Sequence, residues 1–136
     1  MDVVERIINL GADAKHFPSV LVVEDETVAR VALDKLLTRS GYQTTSVGSG
    51  EEAVRFLKQH EGPHVALIDL DLPGMDGAEL VRRLRNLSPD THAVIMTASS
   101  LERVRALVKD EQIPHLRKPL DFRMLLRVLS QQSDHC

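Results

Sequence analysis

Five short apolar runs, each passing into a segment with helical spacing, constrain this chain more than any other feature. They occupy residues 20–23, 42–47, 64–68, 93–96 and 113–117. The first is continuously apolar, as suits a strand buried on both faces of a parallel sheet. Residues 42–47 read as a half-exposed strand, and 113–117 as a short one interrupted by Pro114. Between the runs the period changes. Ala29, Ala32, Leu33, Leu36 and Leu37 share one helical face over 27–40, and Gly41 stops it. Ala53, Val54 and Leu57 point inward over 51–60, and Leu80, Val81, Leu84 and Leu87 mark the next helix. Leu101, Val104, Leu107 and Val108 share a side over 101–109, and Leu125, Val128 and Leu129 mark the last helix. Gly48-Ser49-Gly50, Gly62-Pro63, Pro73-Gly74 and Ser88-Pro89-Asp90 punctuate the pattern. Ahead of it, Val3, Val4, Ile7, Ile8 and Leu10 predict one short amphipathic helix, closed by Gly11.

Strand–helix alternation repeated five times predicts the α/β class. The chain should be a single doubly wound (βα)5 domain with a five-stranded parallel sheet, plus a short N-terminal helix. The expected boundaries are 1–18 for the N-terminal helix and linker, 19–132 for the domain and 133–136 for a C-terminal tail. A length of 136 residues leaves little room for a second domain. Aromatics make up 3% with no Trp, so the core must rest on Val, Leu, Ile and Ala. A net charge of -3 argues against nucleic-acid binding as the main task. No apolar run is long enough to span a bilayer, and the charged N-terminus is unlike a signal peptide. Cys136, the sole cysteine, has no internal partner, so a cytoplasmic setting is expected.

Sheets of this kind bind ligands at the carboxyl ends of their strands, where the strand order reverses. Three of the runs end in Glu24-Asp25, Asp69 and Thr97, and the fifth is followed by Lys118. Three gathered carboxylates repel and raise one another's pKa values. A hard divalent cation relieves that repulsion. Asp69 can then act as a nucleophile on phosphorus, holding the phosphoryl group as an acyl phosphate. The transferring group spreads charge over its outer oxygens, which the Lys118 ammonium and the Thr97 hydroxyl can stabilise. Each residue alone has an ordinary reading: a solvated acidic loop, a helix cap at Thr97, a surface charge at Lys118. Asp76 and Gly77 read as a helix start and turn, and Arg82, Arg83 and Arg85 as a solvated helix face. His16, His60, His64, His92 and His135 lack metal-ligand spacing.

Four motifs recur in order at the strand ends: VLVVEDE (20–26), LIDLDLPGMDG (67–77), MTA (96–98) and KP (118–119). With them, residues 19–131 resemble the receiver domain of bacterial response regulators. The resemblance implies a flavodoxin-like strand order 2-1-3-4-5. It implies that Asp69 takes a phosphoryl group from a phosphohistidine on a sensor histidine kinase or phosphotransfer protein. Mg²⁺ (or Mn²⁺) would be held by Asp25, Asp69 and the backbone carbonyl of Asp71, with Glu24 acting mostly through water. Thr97 would move toward the phosphoryl oxygens, Lys118 would pair with them, and Thr97 and His115 would form the switch. A cis Lys118-Pro119 peptide is implied as well. The chain would be a signalling receiver rather than an enzyme. Its output would pass to a downstream effector protein or to an output domain outside this sequence. No direct nucleic-acid or membrane contact is expected, and a homodimer is a further expectation.

The chain departs from the family pattern in three places. His115 stands where the family has Tyr or Phe, which predicts pH-dependent switching. Asp110-Glu111-Gln112-Ile113-Pro114 replaces a Gly-Ala-Asp-Asp stretch, and Pro114 is expected to remove a backbone donor from the last strand. The surface of the fourth helix, last strand and fifth helix, which often carries dimer or partner contacts in the family, is therefore expected to depart from its usual geometry. Asp71 and Ser99 each lie two residues beyond a site residue, where the family controls water access. Two rival readings remain at this level. Asp69-Leu70-Asp71 also fits the DxD of haloacid-dehalogenase-type phosphatases, although that family places its DxD strand first. A phosphorylation-independent interaction module with a receiver fold is the other.

Overall fold

The computed structural model describes residues 18–109 and 112–133. The helix expected over residues 3–10, its linker and the last three residues lie outside them. The strands are β1 (Ser19–Val23), β2 (Gln43–Val47), β3 (Val65–Asp69), β4 (His92–Thr97) and β5 (His115–Arg117). The helices are α1 (Thr27–Arg39), α2 (Gly50–Gln59), α3 (Gly77–Leu87), α4 (Leu101–Leu107) and α5 (Phe122–Ser133). All pairings are parallel, as the strand–helix alternation predicts, and the strand order is β2-β1-β3-β4-β5, as the resemblance implies.

Alternation along the strands builds two cores, because successive strand side chains face opposite sides. Leu21, Val23, Ala66, Ile68 and Ile95 face α2, α3 and α4, meeting Val54, Leu57, Leu80, Leu84 and Val104. Val20, Val22, Leu67, Val94 and Met96 face α1 and α5, meeting Leu33, Leu37, Leu125 and Leu129. Every residue of β3 is buried, which is the signature of a central strand covered on both faces. Caps start all five helices: side-chain oxygens of Glu26, Ser49, Asp76, Ser100 and Asp121 accept first-turn N–H groups.

The structure corrects several details. Ala32, Leu87, Leu101 and Leu107 are exposed, not inward. Leu87, Leu101 and Leu107 sit at helix ends, where the stripe runs off the sheet. The fourth helix stops at Leu107 rather than residue 109, because Val108 turns to extended backbone (φ -115, ψ 105). Pro114 precedes β5 instead of interrupting it. The Pro114 carbonyl accepts the Ile95 N–H at 2.9 Å, but Pro114 has no N–H to carry the ladder further, and the pairing with β4 begins at Ile95 and His115.

Candidate functional site

The chain reverses direction across the sheet at β1, which has β2 on one side and β3 on the other. Their carboxyl ends therefore open a crevice at the switch point, and the acidic residues predicted from sequence fill it. Glu24 follows β1 and Asp69 ends β3. Both are buried, at 2% and 3% exposure, while Asp25 between them and solvent is exposed. One carboxylate oxygen from each of Glu24, Asp25 and Asp69 lies within 4.8 Å of the others.

Lys118 reaches this cluster from the loop after β5. Its ammonium donates to Asp69 Oδ2 at 2.9 Å and to Glu24 Oε1 at 3.0 Å. The Lys118-Pro119 peptide is cis, as the resemblance implies. The other Asp69 oxygen, Oδ1, accepts the Asp71 N–H at 2.9 Å.

Burial sets the proton balance. It pushes the Glu24 carboxyl up to about 7, helped by neighbouring Asp69 and opposed by Lys118. Burial also works to raise Asp69, but hydrogen bonds from Glu24, Lys118 and the Asp71 N–H outweigh it and hold Asp69 below the usual aspartate range. Burial would lower Lys118, yet its bonds to Asp69 and Glu24 raise it above the ordinary lysine value. Near neutral pH Asp69 thus carries its charge while Glu24 sits close to the midpoint of its ionisation.

This donor set suits a hard divalent cation. Glu24 Oε2 is buried and has no hydrogen-bond partner among the described residues. An orphaned oxygen on one of three gathered carboxylates is the chemistry such an ion satisfies.

Thr97 ends β4 and is 1% exposed. Its hydroxyl donates to Asp71 Oδ2 at 3.3 Å and accepts the Ser99 N–H at 2.9 Å. Ser99 Oγ donates to Asp71 Oδ1 at 3.4 Å, and Arg103 lies 4.0 Å from that same oxygen. His115 is exposed on β5, paired in register with Ile95. Glu24, Asp25, Asp69, Asp71, Thr97 and Lys118 therefore share the crevice, while His115 lies at the start of the strand leading to it.

Sequence reasoning missed three supports. Arg30 donates to the Glu24 carbonyl at 2.9 Å and the Asp25 carbonyl at 3.4 Å, pinning the acidic loop from the first turns of α1. Glu26 turns away from the cluster to cap α1, accepting from Val28 and Ala29. Glu51 of α2 accepts the Met75 N–H at 3.3 Å and ties down the loop after Asp69. The signal for the first two was their position at a helix start; none marked the third.

Comparison with known proteins agrees with this geometry. Residues 20–130 match the response regulator receiver domain family. Sporulation initiation phosphotransferase F of Bacillus subtilis is 30% identical over 104 residues, covering 76% of this chain and 83% of that protein. A transcriptional regulatory protein of Streptomyces coelicolor is 40% identical over 68 residues, which is 50% of this chain but only 30% of that protein. Among solved structures, the receiver domain of a Pseudomonas aeruginosa sensor histidine kinase has a TM-score of 0.77 at 26% identity, covering 87% of this chain and 98% of that one. That structure carries a magnesium ion coordinated in its active site cleft. With a family match across nearly all the described residues and an acidic crevice at the switch point, this chain belongs to the response regulator receiver domain family of two-component signalling.

Proposed function

We propose that Asp69 is the phosphoryl acceptor of this receiver domain. The carrying observation is the buried Asp69 carboxylate, held ionised beside Lys118 at 2.9 Å at the carboxyl end of the central strand. Asp69 attacks the phosphorus of a phosphohistidine; the new O–P bond forms as the P–N bond breaks, and the imidazole leaves with a proton from solvent. Lys118 follows the oxygens gained by Asp69, and Thr97, at the end of the neighbouring strand β4, offers them a hydroxyl donor. Asp25, Asp69 and the backbone carbonyl of Asp71 would hold Mg²⁺ or Mn²⁺, with Glu24 acting mostly through water. The orphaned Glu24 Oε2 and the magnesium in the Pseudomonas relative support this assignment. When bound, the ion neutralises charge developing on the transferring group.

The chain acts as a signalling receiver, assisting only its own phosphorylation and dephosphorylation, with residues 19–132 as the unit and residues 1–18 leading into it. Its donor is a sensor histidine kinase or a phosphotransfer protein. A groove of about 450 Å³ beside Lys118, lined by Ala29, Ala32, Leu33, Pro119, Leu120 and Phe122, supplies apolar contact next to the acceptor. Thr97 and His115 form the switch, whose state a downstream effector or an attached output domain reads. Among the described residues no helix is long and apolar enough to cross a membrane.

Incubation with Mg²⁺ and acetyl phosphate tests the reading. Intact-mass measurement should show a gain of one phosphoryl group, and Asp69→Asn should abolish it. No gain in the unmutated chain would leave a phosphorylation-independent interaction module instead. Turnover of a phosphate monoester would point to the phosphatase.

A further inference from the structure

Asp71 is drawn into two relations that a bystander carboxylate would not have. Its Oδ2 accepts the only proton the Thr97 hydroxyl can donate, at 3.3 Å. Its Oδ1 accepts the Ser99 hydroxyl at 3.4 Å, with Arg103 4.0 Å away. The Ser99 N–H in turn donates to Thr97 Oγ1 at 2.9 Å. Asp71, Thr97 and Ser99 thus close a ring that joins the loop after β3 to the loop after β4. A hydroxyl that donates to Asp71 cannot donate to an oxygen bound on Asp69.

We propose that Asp71 is a positioning residue: its carboxylate latches the Thr97 hydroxyl and the β4–α4 loop in the unphosphorylated arrangement. This rests on the reading of Asp69 as phosphoryl acceptor. Arrival of a phosphoryl group offers Thr97 a competing, more highly charged acceptor. The hydroxyl leaves Asp71 for it, and Ser99 and the start of α4 follow because they share the ring. The latch sets how much phosphoryl affinity is spent on switching. Asp71 is partly exposed, with its side chain at 35%, so the hydrogen bond is screened and its effect is modest.

The test combines Asp71→Ala with Thr97→Val, which keeps the shape of Thr97 and removes its hydroxyl. Affinity for beryllofluoride, a phosphoryl mimic, is measured by calorimetry in excess Mg²⁺. Asp71→Ala should bind it about fivefold tighter than the unmutated chain, and this gain should vanish in the Thr97→Val background. An equal gain in both backgrounds would mean simple charge repulsion and would overturn the latch, as would no gain at all. A second readout needs neither metal nor phosphoryl mimic. In metal-free protein, the Thr97 methyl resonance and its three-bond couplings should show one side-chain rotamer in the unmutated chain and averaging in Asp71→Ala. Asp71→Asn, which keeps an acceptor oxygen and the loop's shape, should restore the single rotamer. An unchanged rotamer in Asp71→Ala overturns the latch whatever beryllofluoride does. A responding rotamer in a protein that binds no beryllofluoride supports the latch and instead sinks the acceptor assignment of Asp69.

Discussion

Lys118 faces two buried carboxylates with one positive charge, and burial makes Glu24 the one that takes up a proton first. The Glu24 carboxyl ionises near 4.5 when solvated and at about 7 in the fold. A group whose folded pKa is raised stabilises the protein below its unfolded value and loses that contribution as pH rises through the folded one. Glu24 should therefore cost the metal-free protein about 1 kcal/mol between pH 6 and pH 8. Urea unfolding in chelator at both pH values checks this: the loss should appear in the unmutated chain and be absent from Glu24→Gln. A divalent ion competes with the same proton, so Mg²⁺ should bind more tightly at pH 8 than at pH 6, and calorimetry with proton release reads it directly. His115 offers no such derivation from its surroundings. It stands exposed, and its part in a pH-dependent switch is a separate test, made by comparing phosphorylation-linked changes at pH 6 and 8.

The element that places Asp69 is the loop joining β3 to α3. Its geometry depends on Gly77, where an added Cβ would lie 2.6 Å from Leu70 Cα and 2.7 Å from the Asp69 carbonyl oxygen. Both are backbone atoms, so nothing nearby can swing aside. Gly77→Ala should destabilise the protein by about 2 kcal/mol. It should also weaken Mg²⁺ binding, because relief requires moving the strand end that carries the acceptor. Asp76 caps the same helix through the Glu79 N–H at 2.8 Å. Asp76→Ala should cost about 1 kcal/mol in urea unfolding while leaving Mg²⁺ affinity nearly unchanged. The contrast separates a cap from a close approach. Sequence marked both residues as a helix start and turn, but the closeness of Gly77 to β3 is a three-dimensional fact that no spacing conveys.

At the scale of the whole molecule, the two faces of one sheet bury separate cores and leave their carboxyl edge to chemistry. Ion binding at that edge acts on the entire domain, since only the folded chain gathers the three carboxylates. Mg²⁺ at a hundred times its Kd should stabilise the fold by about 2.7 kcal/mol. For a domain of this size that is a rise in Tm of roughly 10 °C. Asp25→Asn should largely abolish the rise, as read by thermal unfolding with and without the ion. In the core under α1 and α5, Leu129→Ala should cost about 3 kcal/mol without changing Mg²⁺ affinity, because its buried side chain packs in that core and belongs to none of the acidic strand ends.

Periodicity alone determined the five strands, the five helices that follow them and the edge where function belongs. Strand runs such as 20–23 and helix stripes such as Leu33 and Leu37 encode burial locally, and burial dictates the layers. Motif order then named Glu24, Asp25, Asp69, Thr97 and Lys118, because reactive side chains at strand ends are addressed by position in the chain. What the tertiary structure decided is which of them share protons and charge. Glu24 holds a raised carboxyl because it is sealed beside Asp69, and Glu26, two residues on, is only a cap. Pro114 marks where the pairing of β5 begins, one residue later, and Asp71 met Thr97 because two loops distant in sequence close over the same crevice. Hydrogen bonds and desolvation act over a few ångströms of space, and separation along the chain carries no record of that distance.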